Sequence, residues 1–384
     1  MKFIAALAAL ALAGTAFAQT QGVSKGEIVI GSMQDLSGPL VGFSKPLVNG
    51  MNMRVDELNA LGGVNGRKLK LVVEDHGYDP KKAVLATQKL VQKDRIFAMV
   101  GTIGTPAALP SMPILFDKNI PHLFPLTAAR EMYEPLHRLK YSFAATYFDQ
   151  VRAGVKHIVK QKGYSKVCSM YQDDDFGLEV LRGAEAGLKD INLAMVEKTT
   201  YKRGSTDFSS QISRMRAAGC DFVVLGTIIR ETLGAIGTAR KLGWGVEFMG
   251  SSAAYTELIH KLGGPAMNGF YATNTVNVPY MDDASANVRA WAQRYKDRFK
   301  DDPGVFSVYG YGVIDLFAQI ATRTGANLTT DAFINTLDKF TAPRDMFGRD
   351  AMSFTKTKHL GSNRSRLSQI VNGKWTPITD YITD

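Results

Sequence analysis

Hydrophobic residues along this chain recur with two periods. Short apolar runs, such as Glu27–Met33 (EIVIGSM) and Ile96–Val100 (IFAMV), have the length and composition of strands. Between them apolar residues return every three or four positions. Leu47, Met51, Val55 and Leu58 thus share one face of a predicted helix. Gly62-Gly63 stops that helix, Asn65-Gly66 makes a turn, and Leu69–Val73 is the next strand. Asp79-Pro80 starts another helix, with proline suited to the first helical position. Pro121–Phe124 reads as a fourth strand.

A second series follows the strand-like Tyr141–Thr146. Strands are expected at Lys166–Tyr171 and Leu193–Lys198, with a helix over Phe176–Leu188 between them. Phe208, Ile212 and Met215 mark an amphipathic helix. Cys220–Gly226 and Val246–Gly250 are further strands, separated by a helix over Glu231–Leu242. Tyr271–Val278 leaves this series. Val288, Trp291, Tyr295 and Phe299 form a long amphipathic helix, and another covers Tyr309–Thr322. The tail reads as strand, Asn372-Gly373 turn, strand.

Two βα series predict an α/β protein with two parallel sheets, each covered by helices. Ligands of open sheets bind beyond the carboxyl ends of the strands, and two such edges facing each other make a cleft. Chemistry is therefore sought just after strands, in segments such as QDLSGPLVGF (34–43), GTIGTP (101–106), FPLTAARE (124–131), ATYFDQ (145–150), YQDDDFG (171–177) and GSSAAY (250–255).

Composition narrows the class. A chain of 384 residues suits two domains. Its start, with Lys2, an apolar run from Phe3 to Ala13 and Ala16-Phe17-Ala18, reads as a cleavable signal peptide over residues 1–18. That run is too short to span a bilayer, and no later stretch is expected to be long and apolar enough to span one. Gln19, not cysteine, follows the cut, so no lipid anchor is expected. The formal net charge is +10, but basic residues are scattered and never interleaved with aromatics, which argues against nucleic acid as a partner. The two cysteines, Cys168 and Cys220, are too few for a disulfide framework or a zinc site. An oxidising compartment permits a bridge; two buried free thiols are the expectation.

Catalytic signatures are missing. There is no G-x-S-x-G, G-x-G-x-x-G, P-loop or H-E-x-x-H pattern. The six histidines are isolated and fit no metal spacing, and Asp173–Asp175 lacks the alternating ligands of a calcium loop. Neither metal nor cofactor is expected. Binding groups remain. Thr105 stands at a predicted helix start, where free N–H groups and the dipole favour an anion. Two readings of it stay open, anion binding and helix capping. Pro125–Ala129 repeats the arrangement after the fourth strand and tips the balance to binding. Phe43 is a pocket wall or ordinary core. Asp149 either pairs with a ligand cation or caps the helix that starts there.

Several segments together, GEIVIGSMQDLSGPLVGF, LNALGGVNGRKLKLVVEDHGYDPKKAVLATQKLV, FAMVGTIGTPAALPSMPIL and IPHLFPLTAARE, resemble the Leu/Ile/Val-binding protein family. These are periplasmic solute-binding components of ABC importers, and the likeness runs over nearly the whole chain. The resemblance implies the type I periplasmic binding protein fold: two Rossmann-like lobes, three crossovers, and hinge closure over a small ligand. It implies an N-terminal lobe of residues 26–145 plus 276–345 and a C-terminal lobe of 146–275 plus 346–384. It implies a monomer that delivers its ligand to an inner-membrane ABC permease, without a membrane anchor and without catalysis. Residue by residue, the carboxylate-holding positions fall at Thr105 and at Leu126, Thr127 and Ala128. Family aromatics fall at Phe43 and Phe176 and near Ile229, and the crossover aspartate at Asp149. The acidic residue that meets a ligand ammonium in amino-acid binders falls at Ser252. Tyr78 and Gly104 stand where the family has a disulfide. The expected ligand is a small hydrophobic carboxylate, either a hydrophobic amino acid or an aromatic or short-chain acid. The alternatives are an amide- or urea-type solute, or a periplasmic sensor serving a membrane receptor.

Overall fold

Both periodic series become sheets. The computed structural model describes residues 20–383, so the expected signal segment and its cleavage site lie outside the described residues. The first series runs β1 (Glu27–Gln34), α1 (Val41–Ala60), β2 (Lys68–Asp75), α2 (Pro80–Gln92), β3 (Ala98–Val100), α3 (Thr105–Asp117), β4 (His122–Leu123) and β5 (Lys140–Tyr141). Its strands lie in the order β2-β1-β3-β4-β5, all parallel. The second runs α4 (Tyr147–Lys162), β6 (Val167–Gln172), α5 (Asp175–Lys189), β7 (Glu197–Tyr201), α6 (Ser209–Ala217), β8 (Phe222–Gly226), α7 (Ile229–Lys241), β9 (Glu247–Gly250), α8 (Glu257–Gly263) and β10 (Tyr271–Asn274). The chain ends with α9 (Ala286–Phe299), α10 (Val305–Thr324), α11 (Thr330–Leu337), β11 (Thr341–Ala342), β12 (Met352–Ser353), β13 (Arg366–Val371) and β14 (Lys374–Pro377).

The second sheet has the order β14-β13-β10-β9-β8-β6-β7. It is parallel from β7 to β10, and the terminal hairpin β13–β14 adds to its edge in antiparallel sense. Asn372 and Gly373, at φ 51° and 74°, form the hairpin turn that the dipeptide predicts. The chain passes between the sheets three times: after β5, after β10, and between β12 and β13. On the second passage α9 and α10 return to pack on α1, beside the first sheet.

Helix α10 corrects one expectation. It is long and apolar enough to cross a membrane, yet it is a core helix, with fourteen of its twenty residues buried. Two glycines let it lie directly on α1. A Cβ on Gly50 would fall 2.0 Å from the Ser307 carbonyl oxygen, and one on Gly310 would fall 2.0 Å from that of Leu47.

Other differences have local causes. Cys168 and Cys220 are joined in a disulfide, not free: β6 and β8 are neighbours, which sets the two Cα atoms 6.0 Å apart, inside bridging range. The strand expected at Leu193–Lys198 begins only at Glu197, because Asn192 turns the chain at φ 58° after α5. Of Tyr141–Thr146 only Tyr141 belongs to a strand; the rest is the first crossing between sheets. The short helices α8 and α11 carried too little periodic signal to be predicted.

Candidate ligand-binding site

The carboxyl ends of the two sheets face one another across a cavity of about 670 Å³, counted out to its mouth. Three connections from the first sheet supply one wall. Leu40 and Phe43 come from the turn into α1, Ile103 to Thr105 from the turn into α3, and Pro125 to Ala128 from the loop after β4. The last two are stitched together, since the Leu126 N–H donates to the Thr102 carbonyl at 2.7 Å. Phe176, Ile228, Ser252 and Ala253 face them from the second sheet. Tyr147 and Gln150 from α4, and Phe306 and Tyr309 from α10, close the hinge side.

Gly104 sits where the turn into α3 needs it. Its φ is 88°, and a Cβ there would strike the Tyr78 ring at 2.7 Å. It is the N-cap of α3 and has no side chain to cap with, so the first turn lacks a side-chain acceptor. Thr105 follows as the first helical residue, which excludes the side-chain capping reading of that residue. Its hydroxyl instead bonds the Thr127 hydroxyl inside the cavity. Tyr147 joins them: its N–H donates to the Ala128 carbonyl at 2.6 Å and its side chain lines the same cavity as Thr127. Burial raises the Tyr147 pKa, so the phenol keeps its proton and stays a donor. Two hydroxyls and a helix N-terminus therefore meet at one end of the cavity.

The body of the cavity is aromatic. Phe43 packs on Phe306 with ring centroids 4.3 Å apart, and Tyr147 meets Phe176 edge-on at 5.1 Å. Tyr309, raised to about 12 chiefly by burial, hydrogen bonds its phenol to the Thr275 hydroxyl at 3.0 Å. None of the twenty-two described lining residues carries a formal charge.

Phe43, Thr105, Leu126, Thr127, Ala128, Phe176 and Ser252 all reach this cavity. Two expected residues do not line it. Asp149 stands in the first turn of α4, where its carboxylate accepts the Thr146 hydroxyl at 2.8 Å while the Thr146 oxygen accepts the Asp149 N–H. The N-cap of α4 is thus Thr146, and Asp149 in the first turn supports that cap without being it. Ile229 begins α7 and points across the mouth of the cleft; its Cδ1 lies 3.2 Å from where a Cβ on Gly42 would stand. Ile228 lines the cavity in its place. Tyr147, Gln150, Phe306 and Tyr309 were not predicted. Tyr147 and Gln150 lie within a segment already singled out after a strand. The α10 residues gave no such signal, because α10 follows no strand directly.

Further contacts hold the two walls together. Glu179 of α5 is fully buried and receives Arg130 from the first-sheet side, Nη2 to Oε1 at 2.9 Å and Nε to the same oxygen at 3.2 Å. Arg203 donates to the Tyr78 carbonyl at 3.0 Å and lies over the Tyr78 ring, while Gln172 Nε2 donates to the Tyr78 hydroxyl at 3.1 Å.

Comparison with known proteins agrees with this architecture. Residues 27–374 match the family model described as periplasmic binding protein. The Leu/Ile/Val-binding protein of Escherichia coli strain K12 is 26% identical over 328 residues, 85% of each chain. Among solved structures, a fatty acid ABC transporter substrate-binding protein from Thermomonospora curvata superposes with TM-score 0.85 at 22% identity, covering 95% of both chains. An ABC transporter solute-binding protein from R. palustris, solved in complex with benzoate, superposes with TM-score 0.82 at 18% identity over 94% of this chain and 98% of that one. Fold, facing sheet edges and the match along most of its length together place this chain in the periplasmic binding protein family, in its branched-chain amino acid type, with the type I fold.

Proposed function

We propose that this protein is the periplasmic substrate-binding component of an ABC importer and that it captures a small hydrophobic carboxylate. The observation that carries the proposal is one cavity joining a hydroxyl cluster at a helix N-terminus to a wall of aromatic rings. Thr105, Thr127 and the start of α3 hold the carboxylate by neutral donors and a helix dipole. Phe43, Phe176 and Phe306 enclose the apolar body. The lobe built on the first sheet, which keeps the chain through β12, closes on the lobe built on the second sheet, and closure is driven by contacts the ligand makes only in the closed state. The closed monomer then delivers its load to the inner-membrane permease unchanged. The ligands named for similar proteins support the same reading, since Leu, Ile and Val, a fatty acid and benzoate all carry a carboxylate.

The test is thermal denaturation of refolded, ligand-stripped protein against a panel of hydrophobic acids and their neutral counterparts. A ligand at ~100 times its Kd stabilises by about 2.7 kcal/mol, which raises the melting temperature by several degrees. Stabilisation by acids supports the proposal; stabilisation only by neutral solutes refutes it.

A further inference from the structure

The cavity offers polar donors but no charged side chain, and we infer that the ligand carries no ammonium group: the protein is built for plain acids and rejects α-amino acids. This rests on the carboxylate reading above and narrows it. An ammonium enclosed in the cleft would need a carboxylate or several free acceptors; without them its burial is costly.

The carboxylates near the lining in sequence are engaged elsewhere. Asp35 accepts the amides of Gly38 and Leu40 at 2.6 and 2.7 Å. Asp174 accepts the Phe176 N–H and the Gln172 amide at 3.1 and 2.6 Å, with Arg203 3.6 Å away. Glu257 accepts the Val305 N–H at 3.2 Å. The wall that carries Ser252 is closed to a cation as well. Gln150 Oε1 faces this loop and already accepts two bonds, from the Ser252 N–H at 3.2 Å and the Thr273 hydroxyl at 2.9 Å. A negative end is thus met by hydroxyls and a helix N-terminus, while a positive end is met by a neutral wall.

One carboxylate stands as the rival. Glu231, three residues beyond the lining residue Ile228, is buried with one oxygen unpartnered. It does not line the cavity, and burial raises its pKa.

The test uses matched triplets that differ at one group: leucine, 4-methylpentanoate and 4-methylpentanamide, then phenylalanine, 3-phenylpropanoate and 3-phenylpropanamide. Affinities are measured by calorimetry on the stripped, full-length protein. In each series the acid is expected to bind at least about tenfold more tightly than the amino acid. Ser252→Asp is expected to move that ratio about tenfold or more toward the amino acid, because it restores an acceptor. Amides that bind better than acids while amino acids fail would keep the exclusion of ammonium and remove the carboxylate reading beneath it. Amino acids that bind as tightly as the acids would overturn the inference and leave the carboxylate reading intact. Loss of such amino-acid binding in Glu231→Gln would then identify Glu231 as the partner.

Discussion

The hydroxyl pair of Thr105 and Thr127 is where chemistry concentrates. Each oxygen can donate one proton, and a carboxylate arriving between them meets donors already aligned by β3, β4 and the Leu126–Thr102 bond. Thr105→Val keeps the shape of the side chain and deletes the donor. A hydrogen bond to a charged group is worth about 1.5–3 kcal/mol, so the acid should bind roughly 10- to 150-fold more weakly, with the melting point of the free protein little changed. Titration of the variant by calorimetry checks this; an unchanged Kd would reduce Thr105 to the opening residue of α3. These two threonines were legible in the sequence because each follows a short apolar run at the point where a strand must end. Phe306 and Tyr309 were not, since nothing near them in sequence says that α10 doubles back to close the pocket. Ser252 was legible only as a departure, an alcohol standing where the resemblance implies an acid.

At the level of elements, periodicity located most helices and strands but misjudged ends and close contacts. Strand β7 slid along the chain because Asn192 delays its start. The disulfide went unforeseen because strand order, not spacing along the chain, sets the distance between Cys168 and Cys220. Glycines inside helices show the same dependence on context. Gly237 of α7 has open space where a Cβ would go, so Gly237→Ala should stabilise by about 0.5–1 kcal/mol through helix propensity. Gly50 of α1 is pressed on the backbone of α10, so Gly50→Ala should cost about 1–3 kcal/mol through overpacking. Urea unfolding of the two variants reads the opposite signs directly. Equal and favourable effects would mean that α1 and α10 do not lie as close as described.

For the whole molecule, side-chain contacts across the cleft join the two sides apart from anything a ligand would add. Arg130 and Glu179 come from opposite sides of the cleft, and Glu179 is buried where they meet. Replacing the buried Glu179 carboxylate takes the charged partner away from the partly exposed Arg130. Glu179→Gln should therefore favour the open form and weaken ligand binding at least about tenfold, although the cavity lining is untouched. Small-angle scattering with saturating ligand checks it: the variant should need more ligand to reach the same compact radius, and identical titrations would exclude the ion pair as a support of closure. The threefold passage between sheets has a separate consequence for how the molecule comes into being. Neither half is one continuous stretch. The first sheet waits for α10, and the second waits for the hairpin at residues 366–377. A ribosome that has made three-quarters of this chain has finished neither half, so nascent chains stay incompletely folded until synthesis is nearly over. A chain in that state can still be threaded through a narrow pore, and its unpaired sheet edges stay open to aggregation until the last strands arrive.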